Sequence, residues 1–298
     1  MAATLTKTVR MIIIVYEKRR LLHLFRGRTM DFNYSVSRYQ MDRKRSIHFH
    51  DHHEILLSLT DGGNFFIRKQ SYPIVAGALF CLNATEIHHC FSQDGLFVER
   101  FVVHFSEQTL KNFSTTHTNL LSIFKNARTY SVVDALSLSR MQTQLDTLMM
   151  PLPDRFAADI RRNNLFIDFL LGVGEIVKTD VGAVQINALD SGRVTDIIDY
   201  IQSHVAEDLS REQIAKAFFI STPHLGHIFK NATGFSIGEY IINYRIQRAC
   251  NMLLQGEKVQ DIGKMVGFKG STHFNRIFKK RMGMSPGVFA HKHSNVIP

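Results

Sequence analysis

The C-terminal third of the chain contains one pattern twice: Ile214-Ala215-Lys216, Ile228-Phe229-Lys230, Gly234 and Ser236 recur as Ile262-Gly263-Lys264, Ile277-Phe278-Lys279, Gly283 and Ser285. The offset is 48 residues before the turn and 49 residues after it. A short helix, a tight turn and a second helix that ends in basic residues form the unit that places a helix in the major groove of DNA. The repeat therefore predicts two helix-turn-helix units in one chain, within a region of seven helices.

Ser210 with Gln213, and Ser236 with Glu239, are capping boxes that predict helix starts, and Ser221 begins the second helix of the first unit. The helix from Ser236 is long and extends to about Leu254, and the second helix of the second unit extends from Ser271 to about Met282.

The charge of the chain is concentrated at its two ends. Residues 193–298 hold 14 Lys and Arg against 8 Asp and Glu, and residues 1–29 hold 7 against 1. The segment between them, 30–192, holds 15 against 17 and is close to neutral. A basic segment beside a near-neutral one is typical of a phosphate-binding domain joined to a domain with another task, although a basic face is often only a solvated one.

Length and composition favour two domains in a reducing compartment. A chain of 298 residues exceeds one ordinary core and suits two domains. The apolar run 11–16 is shorter than a bilayer span or a signal-peptide core, and Lys18-Arg19-Arg20 ends it. The three cysteines (Cys81, Cys90 and Cys250) are odd in number and unpatterned, which favours buried free thiols. We therefore expect a cytoplasmic protein without a membrane partner.

The first half of the chain has a strand-like pattern. We predict strands at 55–60, 65–69, Ala78–Leu82 and 96–105, which are short β-branched or aromatic runs. Asp61-Gly62-Gly63 and Asp94-Gly95 supply the positive φ angles of tight turns between strands. Several short strands at this spacing predict a small antiparallel barrel or sandwich.

Helical periodicity begins after about residue 134. An apolar stripe of Leu138, Met141, Leu145 and Leu148 predicts one helix, and a second apolar series of Phe156, Ile160, Ile167, Leu170 and Leu171 follows two prolines. The stripe must be covered by the barrel or by a second subunit, and we expect a homodimer. The predicted domain bounds are a basic N-terminal extension at 1–29 that can be disordered, a sheet domain with its trailing helices at 30–177, a linker at 178–192 and a helical domain at 193–298.

The second helix of each unit has an apolar inner face and a polar outer face. Leu225, Ile228 and Phe229, and likewise Phe274, Ile277 and Phe278, have core spacing. Arg276 is the strongest candidate for reading a base, because guanidinium can donate two hydrogen bonds to guanine, whereas lysines at the end of each helix suit phosphates. The candidate DNA-binding residues are Thr222, His224, His227, Lys230, Asn231, Ser271, Thr272, His273, Asn275, Arg276, Lys279 and Lys280. The alternative for any one of them is a solvated surface side chain.

The residues of 193–291 closely resemble the DNA-binding domain of AraC/XylS transcriptional regulators. The most specific part of the match is Val266-Gly267-Phe268, Phe278-Lys279-Lys280 and Gly283-Met284-Ser285-Pro286. The resemblance implies double-stranded DNA as a partner, with RNA polymerase as a further possible one. The chain departs from the family pattern at Phe218-Phe219, Gly226, Lys258 and Gly263. Gly263 and Lys258 replace a helix former and a capping residue, and we expect each to weaken the second unit's first helix by up to about 1 kcal/mol.

A histidine-rich segment lies ahead of the first predicted strand. In a strand through 48–54, alternation places His48, His50, His52 and Glu54 on one face, and His88-His89 follows downstream. The order His-x-His-x-x-x-Glu followed by Gly77 and His88 resembles the two motifs of the cupin barrel, which AraC relatives use to hold a small organic effector. We expect His48, His50, Glu54 and His88 to bind an effector. A structural role for the histidines and a metal site remain alternatives.

Together these patterns predict an α+β protein with two domains. The first is a cupin-like antiparallel β-barrel with trailing helices, and the second is an all-α double helix-turn-helix domain. We interpret the protein as a transcriptional regulator controlled by a sugar or a related metabolite, without catalytic residues, a metal or a cofactor. The alternative is a metal-dependent cupin enzyme, or a metal sensor, fused to a DNA-binding module.

Overall fold

The structure, a computed structural model, describes residues 34–40, 50, 52–91, 98–125, 129–179 and 191–294. Four predicted features fall outside these residues: the N-terminal extension at 1–29, most of the linker at 178–192, His48, and the turn at Asp94-Gly95.

The N-terminal part of the described chain combines strands with trailing helices. Its elements are β1 (Tyr34–Gln40), β2 (His53–Ser58), β3 (Asn64–Ile67), β4 (Gln70–Pro73), β5 (Ala78–Leu82), β6 (His88–Phe91), β7 (Glu99–Phe105), α1 (Glu107–Phe113), α2 (Ser122–Lys125), β8 (Tyr130–Val132), α3 (Ala135–Met149) and α4 (Ala158–Thr179). The predicted class, α+β with antiparallel strands first, is confirmed.

The C-terminal part is helical. Its elements are α5 (Ser191–Ser203), α6 (Arg211–Ala217), α7 (Thr222–Thr233), α8 (Ile237–Leu254), α9 (Val259–Met265), α10 (Ser271–Met282) and α11 (Pro286–Ser294). These seven helices are the seven that the sequence predicts, with α6–α7 and α9–α10 as the two helix-turn-helix pairs. None of the helices in the described part of the chain has both the length and the apolar character needed to cross a membrane.

The strands form two antiparallel sheets. One has five strands in the order β1-β7-β2-β5-β8, and the other has three in the order β4-β3-β6. Alternate residues of the two sheets share a buried core in which Leu56, Phe80 and Val102 meet Phe65 and Ile67. The result is a sandwich of two sheets, one of the two architectures expected, rather than a closed barrel.

Helices cover the other face of the five-stranded sheet. Ile55 and Val103 project to that side, where they pack with Met141, Leu145 and Phe169 of α3 and α4. Leu145 is fully buried within this one chain, so the predicted use of the α3 stripe as a dimer interface is wrong. The sheet needs a cover for its outer face, and α3 supplies it.

The second predicted apolar series matches the buried face of α4 only in part. Phe156 lies before α4 and is 95% exposed, and Ile160 and Leu171 are also exposed. The buried side of α4 is formed by Phe166, Phe169, Leu170 and Val173. The predicted series therefore combined residues of the solvent face with Leu170 of the core face.

The predicted strand at 65–69 ends earlier than expected. Arg68 and Lys69 have φ angles of 48° and 71°, and they form the two-residue turn that joins β3 to β4. Such turns usually contain Asn-Gly or Asp-Gly, which is why no turn was predicted at Arg68-Lys69. The turn predicted at Asp61-Gly62-Gly63 is confirmed by φ angles of 138° and 75° at its two glycines.

The free cysteines fill apolar positions, as expected. Cys81 and Cys250 are buried, and Cys90 is half-buried. Burial raises the pKa of the Cys81 thiol to about 12, so that it stays protonated and unreactive at neutral pH.

The predicted helix starts are confirmed by their caps. Ser210 with Gln213, and Ser236 with Glu239, form capping boxes, and the Ser221 hydroxyl accepts from the backbone N–H of His224. Both second helices end on a left-handed glycine, with φ 75° at Gly234 and 73° at Gly283. The two units thus have the same local construction.

The first unit packs against the three-stranded sheet. Phe66 projects from the outer face of β3 and packs edge-on against Phe235 and Tyr240, at ring-centroid distances of 5.7 and 6.2 Å. Around this contact, the Ser71 hydroxyl donates to the Ala232 carbonyl and Lys69 pairs with Asp199. The C-terminal end of α7 therefore rests on the three-stranded sheet.

The paired glycines offer a direct measure of this contact. A Cβ atom at Gly234 would lie 2.5 Å from the His89 ring and 2.7 Å from Phe91, whereas a Cβ at Gly283 would meet nothing within 4 Å. We expect Gly283→Ala to lower the free energy of unfolding by about 1 kcal/mol, which is the cost of left-handed alanine. Gly234→Ala should lower it by at least about 1 kcal/mol more, because of overpacking at the sheet. Urea denaturation of both variants measures the difference, and equal losses would contradict the contact.

Candidate functional site

A buried carboxylate lies at the centre of the histidine cluster. Glu54 is on β2, in register with His104 on β7 and with Leu82 on β5. Its side chain points to the inner face of the sandwich and is only 4% exposed. A buried carboxylate requires charged or hydrogen-bonding partners, and histidines supply them here.

Three imidazoles approach one oxygen of this carboxylate. The distances from Glu54 Oε2 are 2.7 Å to His50 Nε2, 3.0 Å to His104 Nε2 and 3.8 Å to His88 Nε2. The His50 ring centroid is 4.9 Å from that of His104 and 5.1 Å from that of His88. We call His50, Glu54, His88 and His104 the histidine–glutamate cluster.

Backbone carbonyls orient two of the imidazoles. The Nδ1 atom of His50 lies 2.9 Å from the His52 carbonyl oxygen, and the Nδ1 atom of His88 lies 2.9 Å from the Glu86 carbonyl oxygen. A carbonyl oxygen only accepts, so each Nδ1–H donates to it. The Nε2 atoms of both rings are thereby directed at Glu54.

The cluster keeps Glu54 ionised. Burial by itself would raise the pKa of this carboxyl, but hydrogen bonds from His104 and His50 and the charge of His88 hold the pKa well below its usual range. Glu54 therefore carries a negative charge inside the sandwich at neutral pH.

The structure brings together His50, Glu54 and His88 of the predicted effector set, while His48 lies outside the described residues. The prediction that strand alternation places His50 beside Glu54 is wrong, because β2 begins only at His53. His50 lies before the strand, and the chain bends at 52 between the two residues. His104 was missed. Its signal was the alternation of Arg100, Val102 and His104 within β7, which places all three on the inner face with Val102 of the shared core.

The predicted DNA-binding side chains lie on the outer faces of α7 and α10. His224, His227, Lys230 and Asn231 are exposed on α7, where Thr222 is half-buried. On α10 the exposed residues are Ser271, Thr272, His273, Asn275, Arg276, Lys279 and Lys280. The inner faces pack as predicted, with Leu225, Phe229, Phe274 and Phe278 buried and Ile228 and Ile277 partly buried.

Two contacts orient side chains on these outer faces. A nitrogen of His227 lies 2.9 Å from the Asn231 amide nitrogen, one turn further along α7. The His273 ring packs edge-on against Phe268, with centroids 5.6 Å apart. Each of these two histidines is thus held by a neighbour at the helix surface.

An arginine that the sequence did not single out fastens the two units together. From α8, Arg245 donates to the carbonyls of Val205 and Glu207 at 3.0 and 2.7 Å, and its guanidinium lies 5.8 Å from the Phe268 ring centroid. A Cβ at Gly267 would lie 2.5 Å from the Val205 carbonyl oxygen. The turn of the second unit thus packs closely on the loop after α5.

The structure shows the surroundings of Lys258 and Gly263, two positions at which the chain departs from the family pattern. Lys258 precedes α9 without any side-chain capping hydrogen bond, as predicted. Gly263 is buried against Phe274, and an added Cβ would lie 3.0 Å from that ring. The close approach of Phe274 accounts for glycine at this position.

Phe219 occupies a strained position in the first turn. Its φ is 54°, its side chain is 95% exposed, and Gly267 with φ 95° holds the corresponding place in the second unit. Its neighbour Phe218 packs edge-on against Tyr200, with ring centroids 5.7 Å apart. A left-handed residue other than glycine costs about 1 to 2 kcal/mol, and an exposed ring recovers none of it by burial.

Replacing Phe219 should therefore stabilise the protein. We expect Phe219→Gly to raise the free energy of unfolding by about 1 kcal/mol, because glycine adopts this φ without strain. Phe219→Ala removes the ring but keeps the strain, and it should leave stability nearly unchanged. Thermal and urea unfolding of the pair would test this, and an equal gain from both variants would assign the effect to the ring instead.

Comparison with known proteins agrees with this geometry. A family model described as a helix-turn-helix domain matches residues 214–292, from within α6 to within α11. The helix-turn-helix region that the AraC/XylS resemblance predicts is thus confirmed. It is 36% identical over 95 residues to the uncharacterised HTH-type transcriptional regulator YijO of Escherichia coli, a match that covers 31% of this chain and about a third (33%) of that protein.

Longer matches cover both the sheet-containing part and the helical part of this chain. The Msm operon regulatory protein of Streptococcus mutans is 25% identical over 276 residues, covering 87% of this chain and 93% of that protein. The crystal structure of unsaturated fatty acid-bound ToxT from Vibrio cholerae is 14% identical, covers 88% of this chain and 97% of that one, and has a TM-score of 0.38.

Proposed function

We propose that this AraC/XylS-family regulator binds a bipartite DNA site through α7 and α10, under the control of a ligand held in the sandwich. The observation that carries the DNA-binding part is the pair of exposed polar helix faces on two units of equal construction, joined by α8. An 18-residue helix is about 27 Å long, so α8 acts as a stiff spacer between the units. Its relatives' names describe transcriptional regulators, which favours this role over that of an enzyme.

A bipartite site has a definite footprint. Units joined by a stiff helix should enter successive major-groove segments about one helical turn (~10 bp) apart on one face of the duplex. Footprinting of the full-length protein on its own promoter region should show two protected segments for each bound chain. A single protected segment would contradict the proposal.

Arg276 and Lys280 are expected to have different roles on α10. Arg276→Ala should cost about 1 to 3 kcal/mol of binding free energy and relax preference at one base position. Lys280→Ala should weaken binding to all DNA sequences alike. It should also reduce the slope of the logarithm of the binding constant against the logarithm of salt concentration by about one unit. Binding of both variants to a panel of operator variants at several salt concentrations would measure this. Identical effects across the panel would show that Arg276 does not read a base.

The ligand site that we propose is the histidine–glutamate cluster. Its members project into the sandwich from β2, β6 and β7 and from the bend before β2, so a ligand there would contact both sheets. A sugar or a related metabolite would bind through hydroxyl groups that bond to Glu54 and the imidazoles. A metal ion is the second candidate, and the convergence of three Nε2 atoms on Glu54 Oε2 favours it.

Strand β6 offers a route from the cluster to the DNA-binding helices. His88 points inward to the cluster, whereas its neighbour His89 points outward, with its ring centroid 4.9 Å from Phe235, just beyond α7. Alternation within one strand makes this arrangement unavoidable. A ligand that moves His88 would move His89, and with it the sheet surface on which α7 ends.

Variants of this route should therefore lose the response to the ligand while they keep their affinity for DNA. We expect both His50→Ala and His89→Ala to abolish the ligand response of a reporter promoter in cells, while DNA affinity of the purified proteins stays within a few-fold of the parent. The control His117→Ala changes an exposed histidine between α1 and α2 and should have no effect. A normal response in His89→Ala would exclude the route through β6. Loss of DNA binding together with the response would indicate a structural role for the histidine.

A further inference from the structure

We propose that the histidine–glutamate cluster binds one divalent transition-metal ion, with His50, Glu54 and His104 as ligands and His88 as the fourth. The inference deepens the proposed function, since it makes the ion the ligand to which the regulator responds. It also changes the ligand set expected from the sequence, because His104 of β7 enters it.

The spacing of the ligand atoms suits a single ion. One ligand atom from each of His50, Glu54 and His104 lies within 4.8 Å of the others. Bonds from zinc to imidazole nitrogen or carboxylate oxygen are about 2.0 to 2.2 Å long, so ligands on one tetrahedral ion lie about 3.5 Å apart. Small side-chain movements would therefore complete the site.

The hydrogen-bonding pattern also calls for a cation. Because the Nδ1–H groups of His50 and His88 donate to backbone carbonyls, a neutral ring of either residue directs the Nε2 lone pair at Glu54. At 2.7 Å the His50 nitrogen and the carboxylate oxygen share a proton, and a bound metal ion would replace that proton as the two atoms move apart to about 3.5 Å. One ion can satisfy all three imidazoles and the carboxylate at once, which would otherwise take a separate proton for each ring.

The two carbonyls have a further effect on metal binding. Imidazoles that ligate a metal usually donate their other N–H to a carbonyl or carboxylate, which fixes the ring and increases the basicity of the ligating nitrogen. His52 and Glu86 supply such carbonyls to His50 and His88. Half of the cluster is thus oriented before any ion arrives.

The surroundings of the cluster favour an ion over a sugar. The Phe65 ring stacks on His88 at a centroid distance of 5.8 Å and lies 4.3 Å from Phe80, which in turn contacts Tyr130. A sugar needs polar groups spread around a ring, whereas here aromatic faces adjoin a point at which three nitrogens meet one oxygen. Donor atoms that converge on one point suit a compact charged ligand, and this convergence is what favours an ion.

The donor set selects among ions. Three imidazoles and one carboxylate suit zinc, iron, cobalt, nickel and manganese, whereas calcium and magnesium prefer sets composed of oxygen. His104 is the most exposed member, with 29% of its side chain accessible.

Metal titration of the full-length protein tests the proposal. After treatment with a chelator and dialysis, the protein should bind one equivalent of Zn²⁺ or Co²⁺ at pH 7.5, as measured by mass spectrometry of the metal content, and its melting temperature should rise with metal concentration. Bound Co²⁺ should show visible absorption bands of a site with nitrogen and oxygen ligands. A stoichiometry well below one metal ion per chain would overturn the inference. Loss of the bound metal in the double variant His291→Ala/His293→Ala would also overturn it, because the ion would then be bound by the C-terminal histidines.

Matched variants locate the site. Glu54→Gln and His104→Gln should each weaken Zn²⁺ binding at least about 10-fold, whereas the exposed control His117→Ala should bind like the parent. Glu54 is deeply buried and its variant can fail to fold, in which case the half-exposed His104 gives the decisive result. Unchanged affinity in a folded His104→Gln protein would exclude this ligand set.

Operator binding separates the two proposals. If the metal-free protein binds a two-part DNA site and no metal tested binds stoichiometrically, the metal inference fails while the DNA-binding proposal stands. If one equivalent binds but neither DNA affinity nor promoter output changes with metal, the site exists but is not the control site of the regulator. A metal-dependent change that is lost in His104→Gln supports both.

Discussion

The central strand β3 of the three-stranded sheet is buried on both faces, and the rest of the structure depends on this constraint. Phe65 and Ile67 of β3 close the sandwich on one side, whereas Phe66 between them supports Phe235 and Tyr240 on the other. A sheet three strands wide cannot bury two apolar faces without a partner on each. The helical region is thus part of what stabilises the sheet, and the sheet is part of what positions α7.

Two units of equal construction therefore acquire different surroundings. Both second helices end on a left-handed glycine, but Gly234 meets His89 and Phe91 while Gly283 is open. The second unit is attached through α8 and Arg245, which donates to the carbonyls of Val205 and Glu207. The sandwich thus contacts the first unit directly, whereas the second unit is held by α8 and by the loop after α5.

The buried charge of Glu54 restricts what the sandwich can do. An ionised carboxylate inside a protein costs several kcal/mol unless it is paired, and the three imidazoles that pair it come from three parts of the chain. Replacing any one of these residues would leave the buried carboxylate with fewer partners and would therefore destabilise the protein. It also ties β2, β6 and β7 together at a single oxygen atom.

The sequence by itself determined what depends on local interactions. Capping boxes, glycine C-caps and helical periodicity are short-range, so the bounds of α8 and α10 and the class of the fold could be predicted before any contact was known. Tertiary structure decided which surfaces meet. It covered the α3 stripe with the chain's own sheet, made a turn of Arg68-Lys69, and brought His104 to Glu54 across two strands 50 residues apart in sequence. Strand pairing and layer order depend on contacts distant in the chain, and local residue patterns do not encode them.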